Sequence, residues 1–379
     1  MKRRLIFFAT IFSILTFWFW YLGQGLILAS DLEETQKHFA WILFAVPFLS
    51  MLWLPLAHWR DHDPTPRWLE PILLRTSYTS MAFLSLLLGL VALRDIAGLL
   101  FDAPFLFGTQ ASTALLTLAV LLLSLGTLGA RRSPRIDHVK IKIPNLSPEL
   151  HGFRIVQISD LHIGAAIKRA YVDRVVALVN QQNADVVAMT GDIFDGDAQE
   201  LDHDIEPLSR LKSNHGSFYV TGNHEYYWSV NPWLKKIERL GIRTLNNEHV
   251  LLRKNGAGSI AIAGVPDRWA HGYAGSAGPD PKAAIANAPA NAVKVLLSHQ
   301  PQLAEAAKNA GFSLMLSGHT HGGQFFPWVF VVRLFHRFSR GLYQWDGLAI
   351  YVNRGTGFWG PPIRLGSRSE ISVLELQPS

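Results

Sequence analysis

The stretch SGHTHGGQ, residues 317–324, directly follows the apolar run FSLML, residues 312–316. Two histidines, His319 and His321, therefore stand two positions apart, among glycines, at the end of a predicted buried strand. Glycine lets the backbone turn sharply and come close to a crowded site. A single H-x-H of this kind is more often a turn than a metal site. Its interpretation depends on whether other strands of the chain end in the same way.

Four further predicted strands end in residue types that bind metals, followed by glycine or a tight turn. These ends are SDLHIG at 159–164, TGDIFDG at 190–196, TGNHEYY at 221–227 and LLSHQP at 296–301. Sites in α/β proteins form beyond the carboxyl ends of strands, where the loops converge. We therefore expect one shared metal site, and its candidate ligands are Asp160, His162, Asp192, Asn223, His299, His319 and His321.

The chemistry of this ligand set points to hydrolysis of phosphate esters. The chain has no cysteine, so any metal must be held by His, Asp, Glu or Asn. These ligands suit Mn, Fe, Zn or Mg, and they outnumber what one tetrahedral ion needs. Two divalent ions about 3.5–4 Å apart can share a carboxylate and generate a bridging hydroxide that attacks phosphorus in line. No side-chain nucleophile is then required.

The part of the chain that carries these motifs alternates short apolar runs with amphipathic stretches. Runs of strand type lie at 153–158, 186–190, 217–221, 259–264, 293–298, 312–317, 349–353 and 371–376. Residues 171–180 and 301–310 have the apolar spacing of helices. This alternation predicts an α/β unit with substantial sheet.

The first 130 residues have a different composition, with four apolar stretches at 5–29, 39–59, 77–93 and 109–130. Each is free of charged residues for about the 20 positions that a bilayer-spanning helix needs, and the third is the shortest. Helices of a soluble bundle would show a polar face, which LIFFATIFSILTFWFWYL at 5–22 lacks. The sequence thus predicts a transmembrane region at 1–130, a juxtamembrane linker with a first strand at 131–149, and an α/β domain at 150–379.

Basic residues indicate how these spans would be oriented. They cluster before the first span, between the second and third, and after the fourth, at Lys2, Arg3, Arg4, Arg60, Arg67, Arg75, Arg131, Arg132 and Arg135. The positive-inside rule then predicts a multi-pass inner-membrane protein with the α/β domain in the cytoplasm. If 77–93 did not cross, that side would flip. The net charge of +6 is modest and clusters near these spans, so we expect a membrane surface as partner and no nucleic acid.

Taken together, the motifs D-x-H, G-D, G-N-H-E, a lone His and G-H-x-H resemble the calcineurin-like metallophosphoesterases over about residues 150–377. The closing stretch at 351–376 is similar to small bacterial phosphodiesterase-like members, and the layout resembles a membrane-anchored branch. The resemblance implies a four-layer α/β sandwich, with two mixed sheets flanked by helices, preceded by an all-α four-helix transmembrane region.

The resemblance also implies a role for each motif residue. The first metal ion would be held by Asp160, His162 and His321, and the second by Asn223, His299 and His319. Asp192 would bridge the two ions. His224 would lie beside the phosphate as a proton donor or a stabiliser of the transition state. Glu225 stands where many relatives have aspartate.

Several alternatives stay open at this level. The phosphate-ester substrate is either lipid-linked or a soluble nucleotide, and a non-catalytic membrane sensor or scaffold would retain the same fold. The stretch FFPWVFVVRLFHRF at 325–338 fits either a core segment or a basic amphipathic surface that dips into lipid. The sequence leaves the oligomeric state undetermined.

A few other polar residues lie close to the motifs. Asp195 and Asp197 fit either a role in orienting a ligand or a role in a turn. The triplet Asp202, His203 and Asp204 is expected to face solvent. Arg354 fits a structural ion pair at least as well as a phosphate contact. For the histidines outside the motif loops, among them His336, we expect surface or structural roles.

Overall fold

The computed structural model describes residues 2–54, 69–254, 258–273 and 277–379. The chain divides into two compact units. A helical unit comprises Met1–Gly129 with Gly360–Leu365, and an α/β unit comprises Ala130–Trp359 with Gly366–Ser379. The short segment Gly360–Leu365 therefore groups with the N-terminal helices although it lies late in the sequence.

The helical unit contains α1 (Lys2–Gly23), α2 (Glu34–Met51), α3 (Glu70–Phe101) and α4 (Thr109–Arg131). Within the described residues, three stretches are long and apolar enough to cross a membrane: Ala9–Leu28, Ile72–Phe101 and Thr109–Arg131. The predicted span at 77–93 lies inside the longer α3. The predicted span at 39–59 begins in α2, and its end falls on residues 55–68, outside the described residues.

The α/β unit is built on two six-stranded mixed sheets. The first has the order β1-β14-β2-β4-β6-β7, with bounds Arg135–Ile143 (β1), Arg154–Ile158 (β2), Val186–Thr190 (β4), Ser217–Val220 (β6), Arg243–Thr244 (β7) and Glu370–Pro378 (β14). Strands β2, β4, β6 and β7 run parallel, whereas β14 pairs antiparallel with β2. Two short strands form a separate pair, β3 (Ile163–Gly164) with β5 (Phe194–Asp195).

The second sheet has the order β12-β13-β11-β10-β9-β8. Its strands are β8 (Glu248–Lys254), β9 (Gly258–Gly264), β10 (Val293–Leu297), β11 (Leu314–Ser317), β12 (Gly341–Trp345) and β13 (Leu348–Val352). The four central strands are parallel, and the strands at both edges pair antiparallel with their neighbours.

The helices of the α/β unit are, in chain order, α5 (Arg169–Asn180), α6 (Asp202–Ile205), α7 (Asn223–Tyr227), α8 (Val230–Arg239), α9 (Pro281–Ala284), α10 (Ala304–Asn309) and α11 (Trp328–Phe335). Helices α5, α6, α8, α9 and α10 pack against the outer faces of the sheets. Alternate residues of a strand face opposite sides. In β4, Val186 packs into the core between the sheets, whereas Val187 packs under α5 and α8. A third core lies between the second sheet and α10. The predicted four-layer α/β sandwich is confirmed.

This architecture brings the motif loops to one edge of the sandwich. The central strands of both sheets are parallel, so their carboxyl ends point to a common edge. A hydrogen bond joins the sheets there, from Gln157 Nε2 to the carbonyl oxygen of Ser317 at 2.9 Å. His299 Nδ1 lies 2.8 Å from the carbonyl oxygen of Thr190 and makes a second link.

Candidate metal centre

The predicted ligands lie in loops that directly follow parallel strands. Asp160 and His162 follow β2, Asp192 follows β4, Asn223 follows β6, His299 follows β10, and His319 and His321 follow β11. The structure brings all seven together at the shared edge of the sheets. Six of them are buried, and His319 is half-buried.

One group of ligands comprises Asp160, His162 and His321, whose ligand atoms all lie within 4.8 Å of one another. The Nε2 atoms of His162 and His321 are 3.1 Å apart. His321 Nε2 lies 3.4 Å from Asp160 Oδ1. Three donor atoms thus face one point.

A second group forms around His299. Its Nε2 atom lies 3.2 Å from Asp192 Oδ2, 3.2 Å from Asn223 Oδ1 and 3.2 Å from His319 Nδ1. Burial and the neighbouring His299 lower the pKa of His319 to about 3. His319 is therefore neutral near pH 7, and a neutral imidazole offers the lone pair that a metal ligand requires.

The spacing within both groups fits divalent metal ions. Ligand atoms about 2.1 Å from one ion lie about 3.0 Å apart at right angles and about 3.4 Å apart at tetrahedral angles. The distances of 3.1, 3.2 and 3.4 Å fall in that interval. Asp192 Oδ2 faces both groups, since it lies 3.2 Å from His299 Nε2 and 4.0 Å from His162 Nε2. It lies closer to the second group than to the first.

The ring of His224 lies close to the carboxylate of Asp192. Its Nε2 atom is 4.0 Å from Asp192 Oδ2, and its Nδ1 atom is 3.0 Å from Asp195 Oδ1. Burial opposes protonation of His224, but the carboxylates of Asp192 and Asp195 outweigh it and raise its pKa to about 9. A protonated imidazole here can donate a proton toward the centre of the site.

Asp195 lies beside two histidines of the site and is hydrogen-bonded to one of them, a role that the sequence left open. Its Oδ1 atom accepts hydrogen bonds from the rings of His224 and Trp228, the latter at 3.1 Å. Its Oδ2 atom lies 3.7 Å from His162 Nδ1. Burial opposes ionisation of Asp195, yet the His162 and His224 rings hold its pKa well below the usual range. Asp195 therefore orients the His224 ring and places its charge near His162, whereas Asp197 is a turn residue that accepts from the amide of Gln199.

Glu225 holds the loop that carries Asp192, a role that sequence motifs did not predict. One carboxylate oxygen accepts from the amides of Ile193 and Phe194, at 2.8 and 3.2 Å. The other accepts from the amides of Gly222 and Asp192, at 2.6 and 3.2 Å. The side chain is fully buried. Two ligand loops are thereby held together by one carboxylate.

Two glycines of the motifs are required because other groups come too close to their Cα atoms. A Cβ atom at Gly222 would collide with the carboxylate and amide of Asp192. A Cβ atom at Gly318 would collide with the side chains of Ser159 and Asp160. In both cases the group displaced would be a candidate ligand or its direct neighbour.

Backbone strain is concentrated at the candidate ligands. Five of them have left-handed backbone conformations, with φ values from 50° to 72°: Asp160, His162, Asp192, His319 and His321. For residues other than glycine this conformation costs about 1–2 kcal/mol each. Such strain persists at functional sites where the surrounding structure enforces it.

Two further expectations are settled by the structure. Asp204 does not face solvent: it is buried and accepts from Lys168 Nζ at 3.1 Å and from the amide of Arg169 at 2.9 Å. Asp204 is buried because its carboxylate accepts from the first amide of α5 and so anchors the start of that helix. Arg354 forms structural ion pairs: its Nη1 atom lies 3.4 Å from Asp137 Oδ2 and 3.3 Å from Glu370 Oε2.

Exposed aromatic side chains surround His224 at the mouth of the site. The ring of Tyr227 lies 4.9 Å from that of His224, and Trp359 lies 5.8 Å from it. Trp269 makes an edge contact with Tyr227 at 5.1 Å. Trp269 and Trp359 come from distant parts of the chain, so sequence spacing carried no signal for this rim.

Residues 153–323 match the family model described as calcineurin-like phosphoesterase. The chain is 37% identical over 276 residues to a transmembrane protein with metallophosphoesterase domain from Danio rerio, covering 71% of this chain and 63% of that protein. A Bos taurus protein of the same name is 38% identical over 263 residues, which cover 66% of this chain and 59% of that protein. The chain thus spans less than two thirds of the length of these two relatives. An uncharacterized metallophosphoesterase from Campylobacter jejuni is 34% identical over 302 residues, which cover 78% of this chain and 76% of that protein.

Proposed function

The chain belongs to the calcineurin-like phosphoesterase family, and on that premise we propose that it is a membrane-anchored phosphoesterase that uses two divalent metal ions. The observation that carries the proposal is the pair of ligand groups that meet at Asp192 Oδ2. Their spacing fits metal ions, and their residue types suit Mn, Fe, Zn or Mg.

The proposed ligands follow the two groups in the structure. Asp160, His162 and His321 would hold one ion. Asn223, His299 and His319 would hold the other, and Asp192 would contact both. Once bound, the ions would supply an activated water as nucleophile and positive charge beside the phosphoryl oxygens.

The remaining chemistry is assigned to residues of the chain. His224 faces the centre of the site with Nε2 and is held through Nδ1 by Asp195. In its protonated form it would donate a proton to the leaving oxygen or stabilise charge on the phosphate. Glu225 would keep Asp192 in position. Phosphomonoesters and phosphodiesters both suit this arrangement, and the substrate we favour is lipid-linked.

The three apolar helices of the described chain and the names of its relatives support a membrane protein. We propose a multi-pass protein of the inner membrane whose α/β domain, residues 150–379, lies in the cytoplasm. The charge distribution of the sequence supports this sidedness.

Hydrolysis of bis-p-nitrophenyl phosphate by the purified full chain in detergent tests the proposal. We expect turnover that requires added Mn²⁺ and is lost in Asp192→Asn. A matched exposed substitution, Asp202→Asn, should leave turnover unchanged. If the wild-type chain binds metal but hydrolyses neither this probe nor p-nitrophenyl phosphate, a sensor or scaffold is the better description.

A further inference from the structure

Helix α11 exposes large apolar side chains directly after the loop of His319 and His321. Leu334 is 81% exposed, Phe335 is 78% exposed and Phe330 is 61% exposed. Val329, on the opposite side of the helix, is buried. Phe330 and Leu334 are four residues apart and share one helix face. The stretch at 325–338 is therefore core on one side and an exposed apolar surface on the other.

A cleft rich in arginine lies beside this surface. Arg333, Arg337 and Arg340 line a space of about 370 Å³ together with His336, Ser339, Leu342 and Tyr343. The lining includes no aspartate or glutamate, and in the described chain none of the three guanidinium groups forms an ion pair. Arg337 lies over the ring of Trp345 at 4.6 Å, which limits its freedom to turn away.

Among the described residues, no carboxylate lines this cleft to balance its positive charges. Partial burial and the nearby charges of Arg333 and Arg354 lower the pKa of Arg340. Guanidinium groups held together without a counter-charge favour an anion, and phosphate is the anion whose geometry they match best.

The cleft is also close to the candidate metal centre. The rings of His336 and His319 are 6.0 Å apart. A Cβ atom at Gly322, next to His321, would lie 3.6 Å from Arg340 Cδ. A phosphate-bearing surface that reached the arginines would therefore lie next to the metal ligands.

We propose that α11 is a docking element for an anionic lipid surface. Phe330, Leu334 and Phe335 enter the boundary of the acyl chains, while the three arginines bind lipid phosphates. This inference rests on the proposed function, because it makes a phosphate ester presented in the bilayer the natural substrate. Exposed apolar residues on a short helix, with one arginine on that helix and two directly after it, match the pattern of interfacial binding.

Other occupants fit these features less well. A nucleic acid would neutralise the arginines but leave three large apolar side chains in water. A second copy of the chain, docked through the same surface, would bring the arginine clefts of both copies close together. A lipid bilayer satisfies the apolar side chains and the charges at once.

Spin-label depth measurements test the docking without any need for catalysis. The chain has no cysteine, so Leu334→Cys gives a single labelling site in the full chain. In nanodiscs that contain phosphatidylglycerol, we expect the label to be more accessible to oxygen than to a nickel chelate. A label at Arg239→Cys, on the exposed surface of α8, is the control and should be accessible to the nickel chelate.

The proposal is overturned if the label at 334 behaves like the label at 239. It is also overturned if dipolar broadening shows that labels of two copies meet, because a second copy then covers the helix. Nanodiscs of phosphatidylcholine alone should reduce the depth of the label. If the depth of the label at position 334 were the same with and without anionic lipid, the arginines would have no role in docking.

A kinetic comparison separates this inference from the proposed function. In Arg333→Gln with Arg337→Gln, we expect turnover of soluble bis-p-nitrophenyl phosphate to stay within about twofold of wild type. Turnover of a fluorogenic phosphodiester embedded in the nanodisc should fall at least tenfold. Arg239→Gln should change neither. An equal fall on both probes would refute the docking role, whereas no turnover by wild type on either probe would refute the function.

Discussion

Replacing Glu225 with glutamine tests how the site is held together. Its two oxygens accept four backbone amides, two each. Whichever oxygen becomes the amide nitrogen, two buried amides lose their acceptor and face another donor. A buried donor without a partner costs about 1–3 kcal/mol, so we expect a total cost of about 2–6 kcal/mol.

This cost falls on the loop of Asp192, which should open far more often than in wild type. At about 1.4 kcal/mol per factor of ten, amide exchange at residues 192–194 should accelerate by about thirtyfold to about twenty-thousandfold. The measurement is hydrogen–deuterium exchange of the full chain in detergent with metal chelated, so that metal binding does not mask the effect. The same variant should also retain less metal.

The matched control is Glu238→Gln, an exposed substitution on α8, which should leave exchange in this loop unchanged. If Glu225→Gln exchanged at the wild-type rate and kept its full metal content, Glu225 would not be the acceptor that holds the loop. The claim that one buried carboxylate joins two ligand loops would then fail.

Two further substitutions test the geometry of the site. In Gly318→Ala the new methyl group collides with Ser159 and Asp160, so metal content and turnover should fall while the secondary structure seen by circular dichroism stays the same; normal metal content would contradict the close approach. Asp192 and Asp195 both raise the pKa of His224, and Asp195→Asn removes the second of these charges, so the alkaline limb of the pH–rate profile should move to lower pH; an unmoved limb would mean that His224 is not the proton donor.

Much of the α/β unit could be predicted because its central strands are buried on both faces. Every residue of β4 is buried, so the sequence shows it as a continuous apolar run. The ligand residues were recognisable because each follows such a run at a glycine or a tight turn. Their grouping was predictable as well, since carboxyl ends of parallel strands meet at one edge.

The edge strands were harder to predict. β8 and β12 are only half-buried and mix charged or polar residues with apolar ones, so neither shows a clear apolar run. Both pair antiparallel at the edge of the second sheet. Their strand structure depends on the neighbouring strand more than on their own composition.

Contacts between distant loops could not be read from spacing. Glu225 reaches amides about thirty positions earlier, and Asp204 is buried because α5 begins beside it. Both depend on which loops the fold brings together. The face of α11 that points to solvent was undetermined for the same reason, because apolar residues occur on all its sides.

The most direct test of the central claim is the number of metal ions bound by the purified full chain. Elemental analysis by mass spectrometry, after Mn²⁺ loading and removal of excess metal, should give two ions per chain. Asp192→Asn should retain fewer than one, because both groups of ligands lose the shared carboxylate. One ion per chain in the wild type, or unchanged binding in Asp192→Asn, would contradict a two-metal site that meets at Asp192.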